Sequence, residues 1–187
     1  MIDFIIPTYD RTVLLHSMLA SLVAQYDDRW TATVVVDDIE NNKARDIISK
    51  FDTNKISLIF TGQRHNDWGH TPREIGKQAS VADYIIMTGD DNYYCPTTVA
   101  DIHGAMESRP GMIYWDMVHS HYDYHFFSCT PFISQIDMGA FATRRDLAQQ
   151  IKLGKAFAAD GQFVMNFLDR FPNEETIKIP KVLFVHN

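Results

Sequence analysis

The sequence predicts an α/β fold in which a mixed, mainly parallel central sheet is flanked by helices within a single compact domain, residues 1–187. Between residues 2 and 87, apolar runs of strand length alternate with segments that carry apolar residues at helical spacing. That alternation is typical of parallel strands joined by crossover helices. The length of 187 residues fits one domain, and 45% hydrophobic with 22% charged residues is typical of a globular protein.

Four strands are predicted in the first half of the chain. Residues 2–6 form an apolar run closed by Pro7, and residues 31–36 are rich in β-branched side chains. Shorter apolar runs follow at residues 56–60 and 84–87. Each of these runs has the length of a buried strand, which predicts a sheet built largely from this half.

Three helices are predicted between these strands. Residues 12–24 carry apolar side chains at helical spacing, and residues 44–51 have a similar pattern. The third helix is predicted at residues 72–81, with Thr71 as its N-cap and Pro72 at its first position. Each helix would connect two strands of the sheet.

After Pro110 the pattern becomes more irregular. A strand is predicted at residues 112–118, helices at residues 146–151 and 161–171, and strand character at residues 177–185 is broken by Pro180. The chain therefore joins a nucleotide-type half, residues 1–100, to a less regular half, residues 101–187, within one domain.

Charge and cysteine content narrow the class of protein. A net charge of −7 argues against nucleic acid as the main partner, because phosphate-binding surfaces are normally basic. Cys95 and Cys129 form neither a zinc pattern nor a disulfide framework, so free thiols in a reducing compartment are expected. No signal peptide and no run of about 18 apolar residues is visible, so we expect no membrane span and a cytoplasmic location.

Two adjacent carboxylates, Asp90 and Asp91, follow the apolar run at residues 84–87. Acidic side chains at the carboxyl end of a buried strand lie at the edge of an α/β sheet where ligands bind. Hard oxygen ligands suit Mg²⁺ or Mn²⁺, and these ions suit a diphosphate. The alternative is an ordinary turn, since Asp and Asn are common turn formers.

Five short motifs in order carry a resemblance to a known family. They are Ile-Ile-Pro-Thr-Tyr-Asp-Arg (5–11), Ser-Leu-Val-Ala-Gln (21–25), Val-Val-Val-Asp-Asp (34–38), Pro-Arg-Glu-Ile-Gly (72–76) and Gly-Asp-Asp-Asn (89–92). This succession resembles the family-2-like inverting glycosyltransferases of the GT-A fold. The resemblance implies transfer of a sugar from a nucleoside diphosphate donor, with a UDP-sugar favoured, to a hydroxyl acceptor such as a glycan. It also implies Mn²⁺ or Mg²⁺ as cofactor and a role in glycan synthesis.

The resemblance implies roles for residues on the donor side. Pro7, Thr8 and Tyr9 match the turn that contacts the nucleoside. Asp38, with Asp37 beside it, matches the acid that reads the base edge, and a carboxylate can accept a hydrogen bond from a ring N–H. The alternative for this acidic pair is a simple turn.

Phosphate and metal binding are assigned through the same resemblance. Arg73 matches an arginine that pairs with phosphate oxygens or stacks on a base, although it would otherwise be a solvated surface arginine. Asp91 is expected to bind the metal directly, with Asp90 facing the ribose or a metal-bound water. Gly89 stands where the family's first acid usually lies, so weaker metal binding without nucleotide is expected. His186 is a candidate further metal ligand.

The acceptor side is assigned to the second half of the chain. Residues 136–141 resemble the segment that lines the sugar and acceptor pocket, where Gly139 would permit close backbone approach. Asp160 matches the catalytic base that takes the proton of the acceptor hydroxyl. Ala159 departs from the acid often found beside this base. The alternative for Asp160 is a helix N-cap, and both roles are compatible.

Three alternatives remain at this point. Gly89 and Ala159 would also suit a degenerate module that binds a nucleotide sugar without turnover. A nucleotidyltransferase would need a Gly-rich, Arg-containing loop after its first strand, which residues 5–11 are not. A zinc site could be formed by alternating polar residues, His119, His121, Asp123 and His125, but this His-rich and aromatic stretch more readily borders the acceptor pocket.

Overall fold

One sheet organises the molecule. The computed structural model describes residues 1–51, 54–156 and 158–187, and the elements below are those of these residues. The strands are β1 (Ile2–Thr8), β2 (Trp30–Val36), β3 (Ile56–Phe60), β4 (Tyr84–Met87), β5 (Tyr93–Tyr94), β6 (Met112–His119), β7 (His125–Phe127), β8 (Phe141–Arg144) and β9 (Thr176–His186). The α-helices are α1 (Thr12–Val23), α2 (Asn42–Ile48), α3 (His70–Ala79), α4 (Thr98–Ala105), α5 (Arg145–Ala148) and α6 (Ala159–Arg170).

The sheet is mixed, with a parallel part followed by a part of mainly antiparallel pairs. Its strand order is β3-β2-β1-β4-β8-β6-β9-β5, and β7 pairs with β6 outside this path. The pairs β3–β2, β2–β1 and β1–β4 are parallel, as is β6–β9. Antiparallel pairing of β8 with both β4 and β6 joins the two halves into one sheet. The α/β fold with a mainly parallel sheet is therefore confirmed as a single compact domain.

Burial on both faces explains the parallel half. All seven residues of β1 are buried, because helices cover both sides of the sheet. Helix α3 packs closely on this strand, since a Cβ atom on Gly76 would overlap with the side chain of Ile5. One continuous apolar core includes Phe4 from the first half and Phe163 from the second. The two halves therefore share a core.

Helix α3 begins two residues earlier than predicted, at His70, so Thr71 is not its N-cap. The N-cap is Gly69, whose φ of +81° lies in the left-handed region. Thr71 instead donates its hydroxyl hydrogen to Asp67 at 2.6 Å, and its backbone N–H lies 3.2 Å from the same carboxylate. Asp67 thus satisfies the N–H group that a side-chain cap would satisfy.

Strand β9 passes through Pro180 without ending. Its register with β6 pairs Trp115 with Ile179 and then Asp116 with Val182, which leaves Pro180 and Lys181 unpaired with β6. A bulge is a position where a proline can be accommodated, because it has no N–H to donate to the ladder. The predicted break at Pro180 is therefore a bulge within one long strand.

Helix α3 also anchors the segment that precedes α6. Glu74 accepts a hydrogen bond from the backbone N–H of Leu153 at 3.1 Å and pairs with Lys77 at 2.9 Å. Lys77 is fully buried and donates to the backbone carbonyl of Ile151. Lys155 pairs with Asp67 at 3.1 Å. The segment from residue 151 to residue 155 is thus fixed against α3 and the turn before it.

Among the residues whose structure is described, no helix combines the length and the apolar composition that a bilayer crossing requires.

Candidate active site

A cleft of about 580 Å³ opens at the carboxyl ends of β1, β2 and β4. The carboxyl edge of parallel strands is where α/β sheets bind ligands. Most of the residues predicted for the site line this cleft, namely Pro7, Thr8, Tyr9, Asp37, Arg73, Asp90, Asp91 and His186. Asp38, Gly139 and Asp160 are not among its lining residues, and their places are described below.

Asp90 is held at the base of the cleft by the last residue of β1. Thr8 donates its hydroxyl hydrogen to Asp90 Oδ2 at 2.6 Å, and both side chains are buried. Burial raises the pKa of Asp90 above its ordinary value, and the hydrogen bond from Thr8 opposes that rise. The carboxylate of Asp90 is therefore fixed by β1 and faces the cleft.

Arg11, which precedes α1, pairs with both acidic residues of this edge. Its Nη1 atom lies 2.7 Å from Asp91 Oδ2 and 3.3 Å from Asp90 Oδ1. Asp91 is about one-third exposed (30%), whereas Asp90 is almost fully buried. Asp91 is thus the carboxylate that a ligand in the cleft can reach more easily.

Arg73 reaches into the cleft from the first turn of α3. Its Nε atom donates to the carbonyl of Thr88 at 2.9 Å and its Nη1 atom to the carbonyl of Trp68 at 2.9 Å. In the described part of the chain, Nη2 has no hydrogen-bond partner. Burial lowers the pKa of Arg73, and the carboxylate of Asp137 is the largest influence that raises it. A guanidinium stays charged under these conditions, so a fixed cation with one unused edge faces the cleft.

Asp37, and not Asp38, lines the cleft. The buried Asp37 carboxylate accepts hydrogen bonds from the backbone N–H groups of His65 and Asn66 at 3.0 and 3.1 Å. Its position therefore fixes the turn that follows β3. Asp38 accepts a hydrogen bond from the N–H of Ile39 at 2.8 Å and lines a smaller pocket of about 60 Å³ beside the cleft.

Tyr9 presents an aromatic face at the edge of the cleft. The guanidinium carbon of Arg64 lies 3.2 Å from the centroid of the Tyr9 ring, and Arg64 Nε lies 3.6 Å from Asp37 Oδ2. The Tyr9 side chain is exposed, and a stacked guanidinium marks a flat surface that suits a planar group. This corner of the cleft can therefore receive a planar ring.

Asp160 lies in the first turn of α6 and is not its N-cap, which is Ala158. The Asp160 carboxylate accepts a hydrogen bond from the N–H of Gly161 at 2.8 Å. Burial raises its pKa to about 6, the carboxylate of Asp137 adds to this rise, and Arg73 opposes it. The charges of two cleft residues thus act on Asp160, although it does not line the cleft itself.

Gly139 packs against the core below the cleft. A Cβ atom at this position would overlap with the ring of Phe184 and approach the hydroxyl of Thr88. The Gly139 carbonyl accepts a hydrogen bond from Tyr94 at 2.9 Å. The close backbone approach expected of Gly139 is therefore made to Phe184, while its neighbours Asp137 and Met138 line the cleft.

His186, the last residue of β9, also lines the cleft. Its Nδ1 atom is 3.0 Å from the hydroxyl of Ser120, and its Nε2 atom is 3.8 Å from Asp137 Oδ2. The imidazole stacks on His119 with ring centroids 4.1 Å apart. His186 is thus held with one ring nitrogen toward Asp137.

The donor set at the cleft fits a divalent cation only in part. Asp91 and His186 provide a carboxylate and an imidazole, which are chemically suitable for Mn²⁺. Within residues 1–51, 54–156 and 158–187, however, no group of three His, Cys, Asp or Glu side chains is placed to hold a metal ion. The residues therefore fit such an ion only if a bound diphosphate supplies further oxygen ligands.

The described residues also offer no ligand set for the zinc site considered at residues 119–125. The His119 and His121 rings lie 5.1 Å apart, and burial together with the nearby His186 lowers the pKa of His119 to about 4. His119 is therefore neutral at physiological pH, but the described residues offer no three-ligand group around it. The structure gives no support to a zinc site in this stretch.

Sequence reasoning did not single out several side chains of this cleft, namely Arg11, Arg64, Asp67 and Asp137. Arg11 and Asp137 lie within the motifs at residues 5–11 and 136–141, so their positions were visible even though their contacts were not. Arg64 and Asp67 lie in the turn before α3, where nothing in the sequence indicates their partners.

Most of the chain matches one known protein family. Residues 3–167 match the model described as glycosyl transferase family 2. The chain belongs to glycosyl transferase family 2. The resemblance stated from the five motifs is therefore confirmed. No curated protein is similar enough in sequence to match.

Solved structures similar to this family 2 chain show the same fold. Residues 1–349 of TarS from S. aureus superpose with a TM-score of 0.81 at 13% identity, covering 100% of this chain and 60% of that one. The same TarS fragment in complex with UDP-GlcNAc gives 0.79 at 13% identity, covering 98% and 57%. The mannosyltransferase PcManGT from Pyrobaculum calidifontis, in complex with GDP-Man and Mn²⁺, gives 0.76 at 15% identity, covering 99% and 56%.

These similarities confirm the GT-A fold of the family 2 chain. The chain spans no more than 60% of the length of these structures.

Proposed function

We propose that this protein is a glycosyltransferase that moves a sugar from a nucleoside diphosphate donor, with a UDP-sugar favoured, to a hydroxyl acceptor with inversion. One observation carries the proposal. The cleft at the carboxyl ends of the parallel strands combines an aromatic face at Tyr9, a fixed cation at Arg73 and a carboxylate pair at Asp90 and Asp91. These are the groups that a base, a diphosphate and a cation-assisted leaving group require. Family membership also favours glycosyl transfer over nucleotidyl transfer.

The nucleotide is assigned to residues 1–100. Its base is assigned to the corner formed by Tyr9 and Arg64, beside Pro7 and Thr8. The unused Nη2 edge of Arg73 is available to a phosphate oxygen, because its other nitrogens are held by backbone carbonyls. The Asp37 carboxylate already accepts hydrogen bonds from the backbone N–H groups of residues 65 and 66 and so fixes the shape of this corner. It can accept a hydrogen bond from a base only with its remaining lone pairs.

Asp91 and His186 are the residues that would hold Mn²⁺ or Mg²⁺, with Asp90 facing the ribose or a metal-bound water. Such an ion, when bound, stabilises the negative charge that develops on the diphosphate leaving group. The complex of PcManGT with both GDP-Man and Mn²⁺ supports a divalent ion as the cofactor. Arg73 assists by neutralising charge on the same phosphates.

Asp160 is assigned as the general base, in the acceptor-binding half at residues 101–187. It takes the proton of the acceptor hydroxyl while that oxygen bonds to the anomeric carbon. The bond from the anomeric carbon to the diphosphate oxygen breaks on the opposite face, and the nucleoside diphosphate leaves with inversion. A pKa near 6 leaves Asp160 deprotonated at neutral pH yet basic enough to accept a proton. The acceptor is a glycan or another hydroxyl compound.

Calorimetric titration of UDP and GDP with and without Mn²⁺ tests the proposal. We expect UDP to bind and Mn²⁺ to tighten it, and Arg73→Ala to weaken binding about 10-fold or more. Asp146→Asn serves as the control, since this exposed residue lies outside the cleft. Failure of both nucleotides to bind under either condition would overturn the proposed function.

A binding module without turnover is the second candidate. It is favoured by the ion pairs that Arg11 makes with both Asp90 and Asp91, and by Gly89 in place of an acid. Release of free sugar from UDP-GlcNAc or GDP-Man distinguishes the two candidates. Binding without any hydrolysis or transfer would favour the module.

A further inference from the structure

The turn before α3 presents a tryptophan to the cleft. The Trp68 side chain is 76% exposed, although it lines the same cleft as Arg73 and Asp137. Trp68 is one of three tryptophans in the chain, and the other two, Trp30 and Trp115, are 3% and 0% exposed. A large apolar side chain left open at the mouth of a binding cleft indicates a contact surface for a ligand.

The backbone of this turn is unusual for the residues that occupy it. The φ angles of Asn66, Trp68 and Gly69 are +53°, +54° and +81°, all in the left-handed region. That conformation suits glycine and is tolerated by asparagine, but it is rarely adopted by a bulky residue such as tryptophan. Backbone conformations of this kind cluster at ligand-binding positions and persist only where the surroundings hold them.

Several contacts hold the turn in this conformation. The Asn66 N–H donates to Asp37 at 3.1 Å, and the Trp68 carbonyl accepts from Arg73 at 2.9 Å. Between them, Asp67 accepts from the Thr71 hydroxyl at 2.6 Å and pairs with Lys155 at 3.1 Å. The backbone of the turn is therefore fixed from both sides while the indole stays open.

The indole has one aromatic neighbour among the described residues. Trp68 meets His70 edge to face, with ring centroids 6.3 Å apart, so a broad indole face is not covered by another ring. An open aromatic face binds the C–H face of a pyranose, because that face of the sugar is apolar. Asp137 lines the same cleft and offers an acceptor for sugar hydroxyls.

We propose that Trp68 is a sugar-stacking residue, whose indole packs against a pyranose ring in the cleft and contributes to the choice of sugar. This inference rests on the proposed function, because it names the part of the glycosyltransferase substrate, a sugar ring, that contacts the turn at residues 66–69. The pyranose belongs either to the donor or to the acceptor, and the two sources are separated experimentally.

Two variants and a control separate the effect of the indole ring of Trp68 from an effect on the backbone of the turn. Trp68→Gly removes the indole and suits the left-handed backbone, so loss of folding is not expected. Trp68→Phe keeps an aromatic face. Tyr26→Ala removes an aromatic side chain that is 80% exposed and does not line the cleft.

The donor experiment compares UDP with UDP-GlcNAc and GDP with GDP-Man by calorimetry. If the pyranose is the donor's, Trp68→Gly weakens binding of a nucleotide sugar about 3- to 10-fold and leaves UDP and GDP binding unchanged. Trp68→Phe retains most of the affinity, and Tyr26→Ala matches the wild type. If the wild type itself binds neither UDP nor GDP, the result contradicts the proposed function instead.

The acceptor experiment uses tryptophan fluorescence and requires no donor. Because Trp30 and Trp115 are buried, quenching of the emission by iodide reports on Trp68. If the pyranose is the acceptor's, methyl glucoside, methyl mannoside or N-acetylglucosamine shields the emission from iodide, with or without UDP. If no sugar shields Trp68 and Trp68→Gly binds the nucleotide sugars as the wild type does, the proposal is wrong.

Discussion

Arg11 and Asp91 form an ion pair at the mouth of the cleft, with 2.7 Å between Nη1 and Oδ2, and the same nitrogen lies 3.3 Å from Asp90 Oδ1. A cation therefore already lies between the two carboxylates assigned to the metal and the ribose. A divalent ion that binds Asp91 has to compete with this guanidinium. The pairing gives a physical reason to expect weak metal binding in the absence of a nucleotide.

Replacement of Arg11 by glutamine is expected to increase the affinity of the free protein for Mn²⁺. Removal of the competing positive charge leaves the carboxylates open, and we expect the affinity to rise about 3- to 10-fold. Electron paramagnetic resonance of free Mn²⁺ measures the effect. Arg45→Gln, which removes a surface ion pair with Glu40, is the control. Equal or weaker Mn²⁺ binding in the Arg11 variant would contradict this role.

Replacement of Asp160 by asparagine is expected to lower turnover about 100-fold or more and to leave donor binding intact. The amide keeps the size of the side chain but cannot take a proton. Single-turnover transfer measures the rate, and calorimetry with UDP measures binding. Near-normal turnover would show that Asp160 is not the base.

The pH dependence of the rate follows from the same group. Because the pKa of Asp160 is raised to about 6, the base is protonated below that pH and the turnover rate should fall. We expect a profile of kcat/KM with an acidic limb near pH 6, measured at subsaturating substrate, because this parameter reports pKa values of the free enzyme. The profile would contradict the prediction if kcat/KM remained constant down to about pH 4.5, where Asp160 is mostly protonated.

Asp160→Asn should also change stability in a pH-dependent manner. The carboxyl pKa is about 6 in the folded chain and about 3.9 in an unfolded one, so the folded state binds more protons between these values. Stability of the wild type therefore falls as pH rises through this window. At about pH 7.5 the free energy of unfolding of the variant should exceed that of the wild type by on the order of 1 kcal/mol, and this difference should vanish near pH 4. Thermal unfolding at the two pH values measures the difference.

Lys77→Ala should destabilise the fold strongly. The Lys77 side chain is fully buried, pairs with Glu74 at 2.9 Å and donates to the Ile151 carbonyl, so its loss removes the cation beside Glu74 and leaves the Ile151 carbonyl without this donor. We expect a loss of about 3 kcal/mol or more in the free energy of unfolding. Lys152→Ala, at an exposed position, is the control and should change it by less than about 0.5 kcal/mol. Chemical denaturation compares the two, and similar curves would contradict the prediction.

The general architecture was predictable from the alternation of apolar runs and helical segments. The placement of Asp90 and Asp91 at the carboxyl end of β4 was predictable for the same reason. The pairing partners were not, because the order in which β8 joins β4 to β6 depends on contacts between residues far apart in the sequence. The bulge at Pro180 has the same origin, since β9 remains paired with β6 on both sides of it.

Some details of the site could not be predicted from a single sequence. Successive side chains at the end of a strand point in different directions, so a pair such as Asp37 and Asp38 does not reveal which carboxylate faces the cleft. The ion pair of Arg11 with Asp91 joins residues 80 positions apart. The N-cap was wrongly assigned to Thr71, because Asp67 in the preceding turn accepts a hydrogen bond from the Thr71 N–H and the helix already begins at His70.

The pair of Lys155 with Asp67 and the bond from Leu153 to Glu74 have a consequence for the construction of chimeras. The turn at residues 66–69 borders the proposed sugar contact, and the segment at residues 151–155 precedes the proposed base, yet both are anchored to the same helix. If only the turn or only the segment at residues 151–155 is replaced by that of a homologous enzyme, Lys155 or Asp67 is left without its charged partner. Donor and acceptor preferences should therefore be transplanted as one cassette that includes α3.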